Sequence, residues 1–376
     1  MRTPPVRPGA LALAVLVLPF TLVACASNET PVETPSSSES GAASSISPAL
    51  TGTLNAGGAS AQTAAQEAWR AGFQSAHAGV TVNYDPTGSG TGRTNFTDGG
   101  YAVAGTDAAF SVEAAAGPFA ACAAGSDLVE VPAYISPIAV GFNLPGLTTV
   151  NLDAATIAGI FTGAITSWDD AAITAQNPGA ELPQTTITVV HRGDKSGTTE
   201  NFTDYLAAVA STVWTHGAAE TWPTELTGES ADKTQGMREA ISSTTGAIGY
   251  IDASQATDMG QVAIKVGDEY VGPTAEGAAA AVGQSSVEAG RAATDVVIEI
   301  DRNLTDPDTY PLVLVSYLAA CEEYADADQG ALVKAFLAYA VSSAGQEAAA
   351  DNAGSAPITS DPTLTARVQA AVEAIR

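Results

Sequence analysis

Three observations predict an α/β fold arranged as two lobes. β-Branched and apolar stretches of strand length alternate with segments of helical periodicity. The junctions between them are rich in glycine and hydroxyl residues. The 376 residues, 45 % of them apolar, exceed what one core of ordinary size holds. Charge narrows the partners, because 41 acidic residues against 14 basic ones give a net charge of −27. Nucleic acid and anionic membrane surfaces are excluded as extended partners, since little here could displace phosphate counterions. A small anion can still be held by local donors.

In chain order, Arg2 and Arg7 precede the apolar run Leu11-Ala12-Leu13-Ala14-Val15-Leu16-Val17-Leu18. The run is shorter than the ~20 residues of a spanning helix and reads as a secretory signal. It ends in Leu22-Val23-Ala24-Cys25, which is similar to a bacterial lipobox. The expectation is a lipoprotein signal peptide over residues 1–24. Lipid on Cys25 would then anchor the chain at the extracytoplasmic face of the cell membrane. Residues 25–50, rich in Ser, Thr, Pro, Glu and Ala, read as a disordered tether. Of the remaining cysteines, Cys122 and Cys321 form a candidate disulfide in an oxidising compartment; two buried free thiols are the alternative.

The folded part opens at residues 51–60 with a strand, a glycine turn and a helix from about Ser60, a suitable N-cap. Ala65, Ala68, Trp69, Gly72 and Phe73 make that helix's apolar stripe. A strand at residues 80–84 runs into Pro86-Thr87-Gly88-Ser89-Gly90-Thr91-Gly92, a glycine-rich turn without Rossmann spacing or a Walker lysine. Tyr101-Ala102-Val103-Ala104-Gly105-Thr106-Asp107 ends a short apolar strand on a polar pair. Residues 186–190 alternate as a buried strand should, and Phe202, Tyr205, Leu206 and Val209 recur at helical spacing. Between them lies His191-Arg192-Gly193-Asp194-Lys195-Ser196-Gly197-Thr198-Thr199, hence strand, tight turn, helix. A helix start carries unpaired N–H groups and a positive dipole end, which attract anions. Hydroxyls add donors, Gly197 admits an anion to the backbone, and Arg192 can supply a two-pronged contact. The plainer reading is a capped helix with Arg192 on the surface. Residues 313–318 form an apolar run, and residues 329–349 and 363–376 show helical periodicity.

Taken together, these segments resemble the phosphate-binding proteins of ABC-type phosphate importers. Residues 54–69 are similar to that family's first strand–turn–helix, residues 84–92 to its Gly-Ser-Gly turn and residues 104–108 to its (Ser/Thr)-Asp-Ala segment. Thr156-Ile157-Ala158-Gly159-Ile160-Phe161-Thr162-Gly163-Ala164-Ile165-Thr166-Ser167-Trp168 is similar to its hallmark helix and loop. Arg192 to Thr199 matches its Arg-x-Asp-x-Ser-Gly-Thr-Thr signature. Thr245-Gly246-Ala247-Ile248-Gly249-Tyr250 and Tyr310-Pro311-Leu312-Val313 continue the likeness, which runs from about residue 51 to 376. It implies a two-lobed periplasmic-binding-protein fold (type II, hinge-closing) with a double interlobe crossover. Residues 51–136 and 269–376 would form lobe 1 and residues 137–268 lobe 2, with crossovers near residues 134–138 and 265–270. A Cys122–Cys321 bridge fits that discontinuous topology.

Carried over by position, the resemblance implies phosphate ligands at the Ser60 hydroxyl, the Ala61 N–H, Ser89, Asp107, Arg192, Ser196, the Gly197 N–H and Thr198. Asp194 would hold the Arg192 guanidinium without touching the anion. Inorganic phosphate and ABC permease subunits are the implied partners of a monomer with neither cofactor nor metal. Two departures stand out: Ser60-Ala61 replaces the family's usual Thr-Phe, and a longer acidic segment at residues 228–236 replaces a short glycine loop. Asp107 facing an anion makes sense if the ligand brings a proton, as phosphate does and sulfate does not. A secreted phosphatase or serine hydrolase using Ser196 or Ser89 is the main alternative. The chain argues against it with three histidines (His77, His191, His216), no metal-spaced cluster and no Gly-x-Ser-x-Gly elbow. At the end of its strand His191 reads as structural. A membrane-tethered phosphate-binding surface or sensor protein without a transport role stays open.

Overall fold

The computed structural model describes residues 50–376. The expected signal peptide, the Cys25 lipid site and the tether up to residue 49 lie outside the described residues. β1 (Thr51–Gly58), β2 (Gly79–Asp85) and β3 (Val103–Thr106) are parallel neighbours, with β1 in the centre. Between β1 and β2 runs α1 (Thr63–Ala76), which buries Ala65, Trp69 and Phe73 at i, i+4, i+8 and leaves Ala68 and Gly72 half-buried at the edge of the stripe. The helix begins later than expected. Residues Ser60–Gln62 form a 3₁₀ turn whose N-cap is Ala59, so Ser60 is not the cap. The glycine-rich stretch is also more ordered than a turn. After Gly88 (φ +95°) the chain enters α2 (Ser89–Thr97), with Gly90 and Gly92 inside it. The one-turn helix α3 (Val112–Ala115) follows β3.

β4 (Leu128–Phe142) is fifteen residues long and buried throughout. It is the bridge of the molecule. After it come β5 (Thr149–Leu152), α4 (Ala154–Phe161), α5 (Ala171–Thr174), β6 (Thr188–Arg192), α6 (Gly197–Val209), β7 (Glu229–Ala231), α7 (Lys233–Ser243), β8 (Ala247–Asp252), β9 (Gly260–Val266) and β10 (Glu269–Val271). The chain closes with α8 (Ala275–Gly283), β11 (Ser286–Val287), β12 (Ile298–Glu299), β13 (Val313–Cys321), α9 (Ala327–Ala340), α10 (Ser343–Ala353) and α11 (Pro362–Glu373). The main sheet has eleven strands, in the order β2-β1-β3-β13-β4-β8-β6-β7, with β9 joining β4 and carrying β5 and β10. Residues 128–137 of β4 pair antiparallel with β13, and residues 138–142 pair with β8. The fold is thus a mixed α/β structure organised around one large mixed sheet.

Residues 265–270, expected to carry the return crossover, instead form a β-hairpin. Gly267 (φ +59°) turns β9 into β10, and Glu269 pairs with Val266. The chain comes back beside β4 farther on, where Ile138 N–H donates to Leu312 O at 2.9 Å. Cys122 and Cys321 are joined as a disulfide across 199 residues, with their Cα atoms 5.4 Å apart. Among the described residues no helix is long and apolar enough to cross a membrane.

Candidate anion site

The carboxyl ends of β1, β2, β3 and β6 converge, the usual position for a ligand in sheets with parallel strands. Ser60 follows β1, Ser89 follows β2, Asp107 follows β3, and Arg192 ends β6. All four are buried, as are Ala61, Ser196 and Thr198. Hydrogen bonds and close approach connect Ser89, Asp107, Gly197 and Thr198, Asp194 clamps Arg192, and Ser60 is reached through α7, whereas Ala61 is placed only as the buried neighbour of Ser60.

Arg192 lies only 3 % exposed, its Nε 2.6 Å from Asp194 Oδ1 and its Nη2 2.5 Å from Asp194 Oδ2. This two-pronged clamp leaves the Nη1 edge of the guanidinium to face elsewhere. Burial works against the charge on Asp194, but the Arg192 guanidinium outweighs it and holds the carboxyl below its ordinary range. Lys233 N–H, at the start of α7, donates to the same carboxylate at 3.0 Å. Tyr250 fixes the other side of the turn: its Oη accepts from Arg192 N–H at 3.1 Å and lies 2.8 Å from Thr199 Oγ1. One phenol therefore ties the end of β6 to the first turn of α6.

Ser196 is the N-cap of α6, its Oγ accepting from Thr199 N–H at 3.2 Å. Ser89 Oγ accepts from Asp107 N–H at 3.1 Å. Each serine thus spends a lone pair on the backbone and keeps its own proton to donate. Gly197 lies so close to Asp107 that a Cβ there would come within 2.5 Å of Ala108 N and 2.6 Å of Asp107 C. Only glycine lets the start of α6 approach the end of β3 this closely.

Asp107 is the one carboxylate among these donors. Its Oδ1 accepts from Ser316 Oγ at 2.6 Å and its Oδ2 from Thr198 Oγ1 at 3.1 Å. Asn201 Nδ2 donates to its main-chain oxygen at 2.8 Å. Burial pushes the Asp107 carboxyl above its ordinary value, against the hydrogen bonds from Ser316, Thr198 and Ser89 and the charge of Arg192. The Thr198 hydroxyl is committed to this carboxylate, so its contribution to an anion would be the N–H at the start of α6 rather than the O–H.

A sequence model of the PBP superfamily domain matches residues 43–344. The phosphate-binding protein PstS2 of Mycobacterium bovis is 34 % identical over 328 residues, covering 86 % of this chain and 87 % of that one. The chain belongs to the phosphate-binding protein family. Its relative PstS 3 from Mycobacterium leprae is also 34 % identical, over 86 % of this chain and 87 % of its own. A solved periplasmic phosphate-binding protein, described as bound with phosphate, shares the fold at a TM-score of 0.68 and 22 % identity, covering 85 % of this chain and 93 % of that one.

For this member of the phosphate-binding family, several residues in the network escape a reading of the sequence. Ser316 sits at an irregularity in the β13–β4 register, between Ser316 and Tyr317, which turns its hydroxyl onto Asp107. Asn201 is held by Arg302, whose Nη2 donates to Asn201 Oδ1 at 2.6 Å. The acidic stretch at residues 228–236 is β7 and the start of α7, which deliver Lys233 N–H to Asp194 and Thr234 to Ser60. No local pattern signals these roles, because each depends on a partner far away in sequence. His191 is stacked on Trp222 with ring centroids 5.0 Å apart, and its Nδ1 lies 3.0 Å from Arg192 O.

Proposed function

We propose that this chain captures inorganic phosphate outside the cytoplasm and delivers it to the permease of an ABC importer. The single observation that carries the reading is a buried carboxylate, Asp107, set within a shell of donors supplied by Arg192, Ser89, Ser196 and the first turn of α6. Donors alone would suit any oxyanion. A carboxylate among them suits an anion that carries a proton, because monobasic or dibasic phosphate can donate to Asp107 and fully ionised sulfate cannot. The names of relatives that match most of the chain support the same ligand.

The anion would be held by Ser60, the Ala61 N–H, Ser89, Asp107, Arg192, Ser196, the Gly197 N–H and Thr198, with Asp194 holding the guanidinium. Two lobes, one on the β2-β1-β3-β13 side of β4 and the other on the β8-β6-β7 side, would close over it by a hinge at β4 and at the stretch entering β13. The chain works as a binding protein, not an enzyme. Relatives named as binding proteins support this, and among the described residues the hydrogen bonds of His191 lead to Arg192 O, with its ring stacked on Trp222, rather than to Ser89 or Ser196. Lipid on Cys25 and the tether to residue 50 would hold a monomer at the outer face of the membrane.

Calorimetric titration of the anion-free protein against phosphate and sulfate tests the reading. Tight one-to-one binding of phosphate without sulfate heat is expected. Sites built around a required donor reject an analogue lacking it by roughly 10⁴–10⁵, and Asp107→Asn should narrow that gap. Equal binding of the two anions by the unaltered protein, or no binding of either, would sink the proposal.

A further inference from the structure

Thr234, in the first turn of α7, meets Ser60 in a pair of buried hydroxyls. Their oxygens are 2.9 Å apart, and Thr234 N–H donates to Ser60 Oγ at 3.0 Å. Each residue is only 5 % exposed. Two hydroxyls carry two protons, and the bond between them uses one. A buried hydroxyl proton left without an acceptor is costly, so the second proton points to a partner.

The placement of α7 narrows that partner. Successive N–H groups at its start are aimed at the anion site: Lys233 N–H donates to the carboxylate that clamps Arg192, and Thr234 N–H to Ser60. The helix has eleven residues, and the positive end of its dipole faces the same region. If Thr234 gives both its N–H and its O–H to Ser60 Oγ, both lone pairs of that oxygen are filled. The Ser60 proton is then forced away from α7.

We propose that Thr234 is a positioning residue of the anion site, which fixes the Ser60 hydroxyl so that its proton is donated to the bound phosphate. The inference rests on the phosphate-binding reading above and adds a residue across the cleft that the expected ligand set lacks. The segment at residues 228–236 then has a structural purpose, since it carries α7 up to Ser60.

The test is a double-mutant cycle on the full chain, freed of anion by exhaustive dialysis and titrated with inorganic phosphate. Thr234→Val keeps the N–H and the shape and removes the O–H. It should weaken phosphate binding roughly two- to tenfold, the worth of one net hydrogen bond. Thr234→Ser, which keeps the hydroxyl, should recover most of that loss. Thr234→Ala reports the same deletion if valine disturbs the start of α7. In a Ser60→Ala background, Thr234→Val should cost nothing further, because the hydroxyl that it orients is gone. A further loss in that background would mean that Thr234 acts independently of Ser60, and would overturn the proposal. So would an unchanged affinity in Thr234→Val and Thr234→Ala, with the spare proton facing the groove lined by Thr63, Pro86, Lys233 and Arg238. Failure of the unaltered protein to bind phosphate would overturn both readings, whereas its tight binding beside indifferent Thr234 variants would remove only this one.

Discussion

Asp107 accepts hydrogen bonds from Ser316 and Thr198 on its carboxylate and still has its pKa raised by burial. That balance makes the ligand preference depend on pH. A neutral carboxyl can donate to sulfate, while the ionised form only repels it. As pH falls through the titration of Asp107, which burial moves above the ordinary carboxylate range, sulfate affinity should rise. In Asp107→Asn, where nothing titrates at that position, sulfate affinity should follow a flatter profile. Competition of sulfate against labelled phosphate between about pH 4 and 8, a window that spans the ordinary carboxylate range and the region above it, is the measurement. A flat wild-type profile would remove Asp107 as the discriminator. At this scale the sequence is informative where the site is continuous. Arg192, Ser196, Gly197 and Thr198 lie within one turn and helix start, so local chemistry nominates them. Ser60, Ala61, Ser89, Asp107 and the role of Asp194 are nominated only through the family resemblance. Ser316 and Thr234 are not legible, because they lie 209 and 174 residues from Asp107 and Ser60, the partners that give them their roles.

Among the elements, α2 departs most from what its residues advertise. Its composition, with Gly88, Gly90 and Gly92 at alternate positions, reads as a turn by propensity. Tertiary contact requires a helix there and uses the glycines differently. A Cβ on Gly92 would come within 2.5 Å of Gly58 Cα and 3.2 Å of the Gly57 and Gly105 carbonyl oxygens, backbone that cannot yield. A Cβ on Gly90 would come within 2.8 Å of Lys195 Cβ, Cγ and Cδ, on the turn before α6. Gly92→Ala should therefore cost about 1–3 kcal/mol, the usual penalty for overpacking, and should move Ser89 away from Asp107. Gly90→Ala should cost less, since relief there needs a shift of the turn that carries Lys195 rather than of two neighbouring sheet strands. Urea unfolding midpoints of the two variants decide, and equal midpoints would contradict the close packing of α2 on β1 and β3. The hairpin at Gly267 is a similar case. Local sequence favours a tight turn there, whereas the topology implied by resemblance points to a crossover. By contrast β6, α6, β13 and the C-terminal helices are readable, because their burial follows directly from apolar pattern.

Across the whole molecule, the two sides of the sheet also meet through charges outside the expected ligand set. Arg93, on α2, donates to Thr106 Oγ1 and Ala108 O at 2.8 Å and pairs with Glu220. Glu220 also pairs with Lys195 at 2.9 Å, and its main-chain oxygen accepts from Ser196 N–H at 2.9 Å. The Arg93 and Glu220 side chains are 11 % and 15 % exposed, so water screens the pair less than it would a surface ion pair. Glu220 thus links α2, which starts at Ser89, to the cap of α6 at Ser196. Under the proposed hinge closure, this pair forms only when the two sides come together over the anion. Removing its charge should leave capture unchanged and speed release. Glu220→Gln keeps the carbonyl that serves Ser196, and should raise the phosphate dissociation rate about tenfold with little change in the association rate, as loss of a close charge pair does in other interfaces. The preference for phosphate over sulfate should stay as it is, because Asp107 is untouched. Stopped-flow release of phosphate to a scavenging sensor measures the rate directly. An unchanged dissociation rate would mean that closure is held by the anion's own ligands, with Arg93 and Glu220 only filling the mouth of the cleft.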